Sequence, residues 1–308
     1  MLLPTAEGST PALPPFELGR IVTESGIDPI PMVLTVWIAG AYLVGVRVLH
    51  ARGDTWPVGR TLSFVGVGMG SFAVATMSGL GAYDTVLLSV HMVQHMILSM
   101  LVPLALALGA PVTLALRTLP PRPRRWLLAV LHSAPVRVLS FPPLAFLLFV
   151  LSPWVLYFSG WYPASASSTY VHEVTHVHLV ATGALFLWPL VGVDPVPGRV
   201  AYPFRMLLMV MTLPFHAFLG VTIMNQEELI AAEHFSSLDL AWLPDAMEDQ
   251  HLAGGILWGT GDVVGLLFFM VLFAQWVRSS MREAEREDRR LDRADRADRL
   301  PERQGSLP

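Results

Sequence analysis

The stretch Val86–Gly109, VLLSVHMVQHMILSMLVPLALALG, decides the fold. It carries no Asp, Glu, Lys or Arg, yet holds two histidines, His91 and His95. A run of this kind suits a transmembrane helix, because about 20 residues at about 1.5 Å each cross a hydrocarbon core of about 30 Å. His91 and His95 are spaced i, i+4 and so share one helical face. An imidazole inside a bilayer is costly without a partner and marks a functional site by default. The rest of the chain supplies candidate partners.

The chain has 308 residues, of which 53% are hydrophobic and only 14% charged, well below the roughly one quarter expected of a soluble domain. Several further apolar runs make it a polytopic, all-α membrane protein. The absence of Cys excludes disulfides, thiolate metal ligands and Cys-x-x-Cys redox chemistry. Every basic residue is Arg, and the net charge of −4 says less than the sidedness of those arginines. The N-terminal MLLPTAEGSTPALPPFELGR has no basic segment leading into an apolar one. It reads as a Pro-rich, mildly acidic tail and not as a signal peptide.

Seven spans are expected: 31–49, 61–78, 86–109, 138–158, 171–191, 204–224 and 252–277. The second is rich in glycine (Gly66, Gly68, Gly70), which suggests close helix packing. Arg117–Arg137 is too charged and Pro-rich to cross, and reads as a loop around a short interfacial helix with Trp126 toward the headgroups. This divides the chain into a tail (1–29), a seven-helix domain (30–278) and a charged tail (279–308) that is either a solvated helix or disordered. Alternate loops and the C-terminal tail hold every arginine except Arg20. The positive-inside rule makes that side cytoplasmic, with the N-terminus outside, in a bacterial plasma membrane. The opposite side carries Asp84 and the acidic loop Asn225–Gln250, which includes Asp239. Basic stretches occur only beside spans, so the lipid bilayer is the expected partner and nucleic acid is not.

This orientation gathers the histidines toward the outer leaflet. His91 and His95 lie roughly 7 and 14 Å down the third span. VHEVTHVHLV puts His172 and His176 on one face of the fifth, with Glu173 and His178 projecting elsewhere. His216 lies roughly 12 Å below the outer end of the sixth. His251 follows Asp249 and Gln250 at the mouth of the seventh. Histidines at i, i+4 can give two ligands to one ion, and imidazole suits Zn, Cu, Fe and Ni. Met92 and Met96 lie at similar depth, and thioethers favour Cu(I). Glu173 and Asp262 are the carboxylates placed to support a histidine, and Asp249 to attract a cation. His50, His132, His178 and His234 are read as ordinary interfacial or hydrogen-bonded residues. The sequence His172-Glu173-Val174-Thr175-His176 also spells the H-E-x-x-H pattern of zinc metallopeptidases, with a third ligand expected from His216 or Asp249. A haem b between His95 and His176 is a further alternative.

HMVQHM (91–96), GAPVTLALR (109–117), LFLWPLVGVDPVPGR (185–199), FHAFLG (215–220) and DQHLAGGILWGTGD (249–262) together resemble the bacterial CtaG family of the caa-type oxidases. These are seven-helix membrane proteins implicated in cytochrome c oxidase assembly, and the similarity covers about residues 30–278. The resemblance implies an accessory factor that matures a haem–copper oxidase, with copper delivery the usual proposal. Oxidase subunits or other assembly factors would be its partners. Carried over, His91, His95, His172, His176, His216, Asp249, Gln250 and His251 are the family's site positions. The same name also covers an unrelated one-helix copper chaperone with a Cys-based site. Without Cys, the metal chemistry here has to rest on His and Met. The expected scheme makes His95, His176 and His216 core copper ligands and His91, His172 and His251 entry ligands.

Overall fold

The computed structural model describes residues 13–25, 29–238 and 240–304, with side chains to residue 293. Asp239, most of the N-terminal tail and residues 305–308 lie outside these. The described residues are helical with no strand. Six helices are long and apolar enough to cross a membrane, and a bent pair makes a seventh. We label them α1 (Pro29–Ala51), α2 (Val58–Tyr83), α3 (Leu88–Thr118), α4 (Pro142–Tyr157), α5 (Thr169–Val191), α6 (Tyr202–Met224) and α7 (Ala246–Gln304). Large apolar side chains stay on the outside, among them Trp37, Phe218 and Leu267, all more than 60% exposed. Such surface on so many helices is stable only against lipid.

With α5, the most deeply buried span is α3. Around its two histidines Leu88, Ser89, Val90, Met92, Gln94 and Met96 are all buried as well. Immediately after His95 the helix widens into a π-helical stretch, Ile97–Leu101, a distortion often found at functional sites. It bends at Gly109–Ala110, where Ala110 is left-handed (φ 51°), and restarts at Pro111. A carboxylate from the loop after α5 caps that restart. Asp194 accepts from the Val112 and Thr113 amides (3.1 and 2.8 Å), the Thr113 hydroxyl (2.6 Å) and the Trp188 indole (3.2 Å). Two of the sequence motifs, GAPVTLALR and LFLWPLVGVDPVPGR, thus fold onto each other as a structural knot.

The fourth span is shorter than expected. Phe141-Pro142-Pro143 sets its start, because proline suits a helix's first turn, and Val138 belongs to the preceding helix Ala134–Leu139. At Phe158–Gly160 the chain bends by 66° into a short helix, Trp161–Ser167, that folds across the end of the bundle. Pro121–Leu131 is the expected interfacial helix, with Trp126 75% exposed. Of Gly66, Gly68 and Gly70 only Gly68 packs tightly: a Cβ there would lie 2.8 Å from Leu106, whereas Gly66 faces open space. Two pairs of spans approach closely: a Cβ on Gly183 of α5 would collide with the Ser99 carbonyl of α3, and one on Gly220 of α6 or Gly254 of α7 would lie 2.6 Å from the other's carbonyl oxygen. Beyond the expected Val277 boundary, α7 continues unbroken to Gln304, so the charged segment is helical.

Candidate metal centre

At one end of the bundle the last turn of α2, the first turns of α5 and the helix Trp161–Ser167 enclose a cavity of about 450 Å³. Its floor is Asp84, whose side chain is 1% exposed. Gln94 of α3 donates to Asp84 Oδ2 (2.5 Å) while tying itself to the Ala75 carbonyl (3.0 Å). His172 Nε2 meets the same oxygen at 2.9 Å and His176 Nε2 stands 3.9 Å away. The two imidazoles, one helical turn apart, cross edge to face with centroids 4.3 Å apart. Ligating atoms of Asp84, His172 and His176 all lie within 4.8 Å of one another. Among the described residues this is the one grouping of three or more His, Asp or Glu able to hold a metal.

The hydrogen-bond inventory separates this region from ordinary packing. His176 is buried, yet neither ring nitrogen has a hydrogen-bond partner. Nε2 of His91, the Tyr162 hydroxyl and the Ser165 hydroxyl are also buried and unpartnered. Such groups normally carry a large penalty, and because His176 and Ser165 line the cavity itself their open valences point to a ligand there. Glu173, expected to project elsewhere, turns its carboxylate to within 3.5 Å of His176 Nδ1. That is the position of an outer carboxylate that orients a metal-bound imidazole. His172 and Glu173 remain 12% and 14% exposed above the buried pair, so the cavity has a solvent side.

The histidines do not form the single cluster that their matching depth suggested. His91 packs against Tyr162 (4.8 Å) and Tyr157 (6.0 Å), between the cavity and the deeper residues. His95 Nδ1 is 2.6 Å from the Tyr157 hydroxyl, and His216 Nδ1 is 3.1 Å from the Thr212 carbonyl. His95 and His216 share a separate small cavity. Neither His216 nor Asp249 supplies the third ligand expected beside the H-E-x-x-H pair; Asp84 stands there instead. Asp249 is used up capping α3, accepting from the Ser89 amide (3.2 Å) and hydroxyl. Gln250 ties the Ile230 amide (2.8 Å). His251, next along α7, is exposed on the opposite face, since consecutive helical residues diverge by about 100°. Met92 accepts the Tyr157 hydroxyl (3.5 Å) and Met96 lies in the apolar core, and neither lines the Asp84 cavity. Asp262 accepts the Trp258 indole (2.9 Å). His178 and His234 have partners in Ser152 and the Thr85 carbonyl, as their ordinary reading requires.

Asp84, Gln94 and Tyr157 are the site residues that sequence reading passed over. The available signal was Asp84 itself, an acidic residue only a few positions before the uncharged third span, with Gln94 polar inside it.

Comparison with known proteins adds identity to this geometry. The model of the cytochrome c oxidase caa3 assembly factor family matches residues 40–279. An uncharacterized protein of Mycobacterium bovis and another of Mycobacterium tuberculosis are each 38% identical over 285 residues, covering 90% of this chain and 43% of their own. An uncharacterized protein of Mycobacterium leprae is 35% identical over the same length. The chain thus spans less than half the length of these curated relatives. No solved structure matches it.

Proposed function

Because the chain belongs to the cytochrome c oxidase caa3 assembly factor family, we propose that it serves oxidase maturation by holding a copper ion as cargo at Asp84, His172 and His176. The observation that carries this reading is a buried carboxylate and two imidazoles converging within 4.8 Å, with both nitrogens of His176 unpartnered. One carboxylate and two imidazoles suit Cu(II) or Zn(II), and with neither thioether lining the cavity the ligand set is Asp/His and not His/Met. His172 Nε2 and His176 Nε2 would be the ligating atoms. Gln94 would hold the carboxylate and Glu173 would brace His176 from its other nitrogen. A site with a partly exposed rim and few strong ligands suits a carrier, which must also release. The arginine distribution supports a cytoplasmic Asp194 end and an external Asp84 end in the bacterial plasma membrane, where copper would be taken up and passed to an oxidase subunit or another assembly factor.

A second reading has its own observation: Asp84 completes the H-E-x-x-H pair into a three-ligand set of the kind zinc peptidases use. Glu173 faces His176 Nδ1 directly, which favours bracing over base catalysis. Haem has less support, because His95 and His176 open onto separate cavities.

The test is elemental analysis and optical and paramagnetic resonance spectra of detergent-purified protein, with His172→Asn and His176→Asn beside wild type. About one copper per chain, lost in both variants along with oxidase maturation in cells, is the expected result. Zinc together with peptide cleavage would replace this reading by the peptidase, and a Soret band by the cytochrome.

A further inference from the structure

Below the metal centre, His95 of α3 and His216 of α6 line one cavity of about 10 Å³. It is also lined by Ser99, Phe149, Ser152 and Leu179. That volume is the size of one water molecule or one ion. Its chemistry follows from where each proton goes. His216 Nδ1 sits on the Thr212 carbonyl, which only accepts, so Nδ1 carries the proton and Nε2 a lone pair. His95 Nδ1 lies 2.6 Å from the Tyr157 hydroxyl, whose oxygen can accept Nδ1–H while its proton turns to Met92 Sδ (3.5 Å), so the tautomer that leaves a lone pair on Nε2 is open to His95. Neither Nε2 has a hydrogen bond. The nearby hydroxyls do not supply protons either. Ser99 donates to the His95 carbonyl (2.7 Å), Thr182 donates to the His178 carbonyl (2.9 Å), and Ser152 is engaged with His178 Nε2 (2.5 Å).

We propose that this cavity is a second metal site, specific for a soft monovalent cation such as Cu(I), held between Nε2 of His95 and Nε2 of His216. The lining offers lone pairs and no carboxylate, and is walled by Phe149, Pro153 and Leu179. A divalent ion would bring two uncompensated charges into apolar surroundings, whereas a monovalent ion brings one, and desolvation cost rises steeply with charge. The two stations therefore differ in kind. The Asp84 site carries a carboxylate and suits Cu(II), while the inner site is lined by no carboxylate and suits Cu(I). Gly261 of α7 is part of the construction: a Cβ there would lie 3.0 Å from the His216 side chain and press on the imidazole.

The inner site stands independently of whether the outer one carries copper, and the test keeps the two apart. Full-length protein in detergent is titrated with Ag(I), a monovalent probe that needs no reductant, and in parallel with Cu(II). The expected result is one Ag(I) per chain that Cu(II) does not displace. In His216→Gln and His95→Gln, Ag(I) affinity should fall at least tenfold while Cu(II) binding is kept, which also reports that the variants are folded. His172→Asn should do the reverse. Should both inner variants fail to fold, X-ray absorption at the silver edge of wild type decides: nitrogen neighbours alone support the site, and sulfur neighbours overturn it by assigning the ion to methionine. Wild type that takes up no Ag(I), or Ag(I) and Cu(II) competing for one place, would also overturn it, leaving a buried water between the two rings.

Discussion

Two buried carboxylates stand at opposite ends of the bundle, Asp84 and Asp194, and each is surrounded by residues from several helices. Asp194 is wholly buried and accepts four hydrogen bonds from two amides, a hydroxyl and an indole. With its partners all donors from the backbone or from uncharged side chains, it is a finished joint. Asp84 is equally buried but receives only Gln94 and His172, and its other neighbours, His176, Tyr162 and Ser165, have polar atoms with nothing to bond. Burial alone does not distinguish the two. What distinguishes them is the completeness of hydrogen bonding, since a satisfied network stabilises a fold while an unsatisfied one costs stability unless a ligand completes it.

The largest effect is expected at the finished joint. Asp194→Ala strands four donors and uncaps the restart of α3, a loss of roughly 3 kcal/mol. It should appear as a clearly lowered melting temperature in detergent, with metal binding unchanged in the fraction that stays folded. Asp84→Asn tests the other side. It is isosteric and keeps an acceptor for Gln94, so the melting temperature should move little. It removes the one charged ligand, and Cu(II) affinity should fall about 100-fold, equivalent to about 2.8 kcal/mol. If Asp84→Asn melts as early as Asp194→Ala, the contrast between the two carboxylates is lost.

Sequence reading succeeded where the signal was one-dimensional. The uncharged runs placed the spans, and the i, i+4 spacing placed His172 and His176 side by side. Where the answer depended on which helices touch, depth alone misled. His95 and His216 lie at a level near His176, but the helices present them to a different cavity, and the i+1 step from Gln250 turns His251 away from both. Asp249 looked like a cation attractor and is a helix cap, a role set by Ser89 on a distant part of the chain. Asp84 was visible but unassigned, because its partners come from α3 and α5 and no local spacing connects them. The bend after α4 falls at the end of the expected fourth span (138–158), and what was missed there is the short helix Trp161–Ser167 that follows it.

Two smaller effects sharpen the comparison within the metal end itself. Glu173→Gln keeps the size of the side chain but removes the charge facing His176 Nδ1 at 3.5 Å. Losing such an outer carboxylate typically weakens a metal site 10–100-fold, and the partial exposure of Glu173 puts the expected loss of Cu(II) affinity near the low end, about tenfold. A loss as large as that of Asp84→Asn would make Glu173 a ligand instead. The smallest effect belongs to His251, which sequence alone grouped with the ligands. It is exposed and has no partner in the Asp84 cavity, whose lining comes from other helices. His251→Ala should therefore change Cu(II) affinity by less than about twofold, within the range of ordinary surface substitutions. The measurement is the same titration used for Asp84→Asn. A tenfold loss would mean that the start of α7 reaches the ion, and the site would then have to include the Asp249–His251 turn that its hydrogen bonds here assign to capping α3 and holding Ile230.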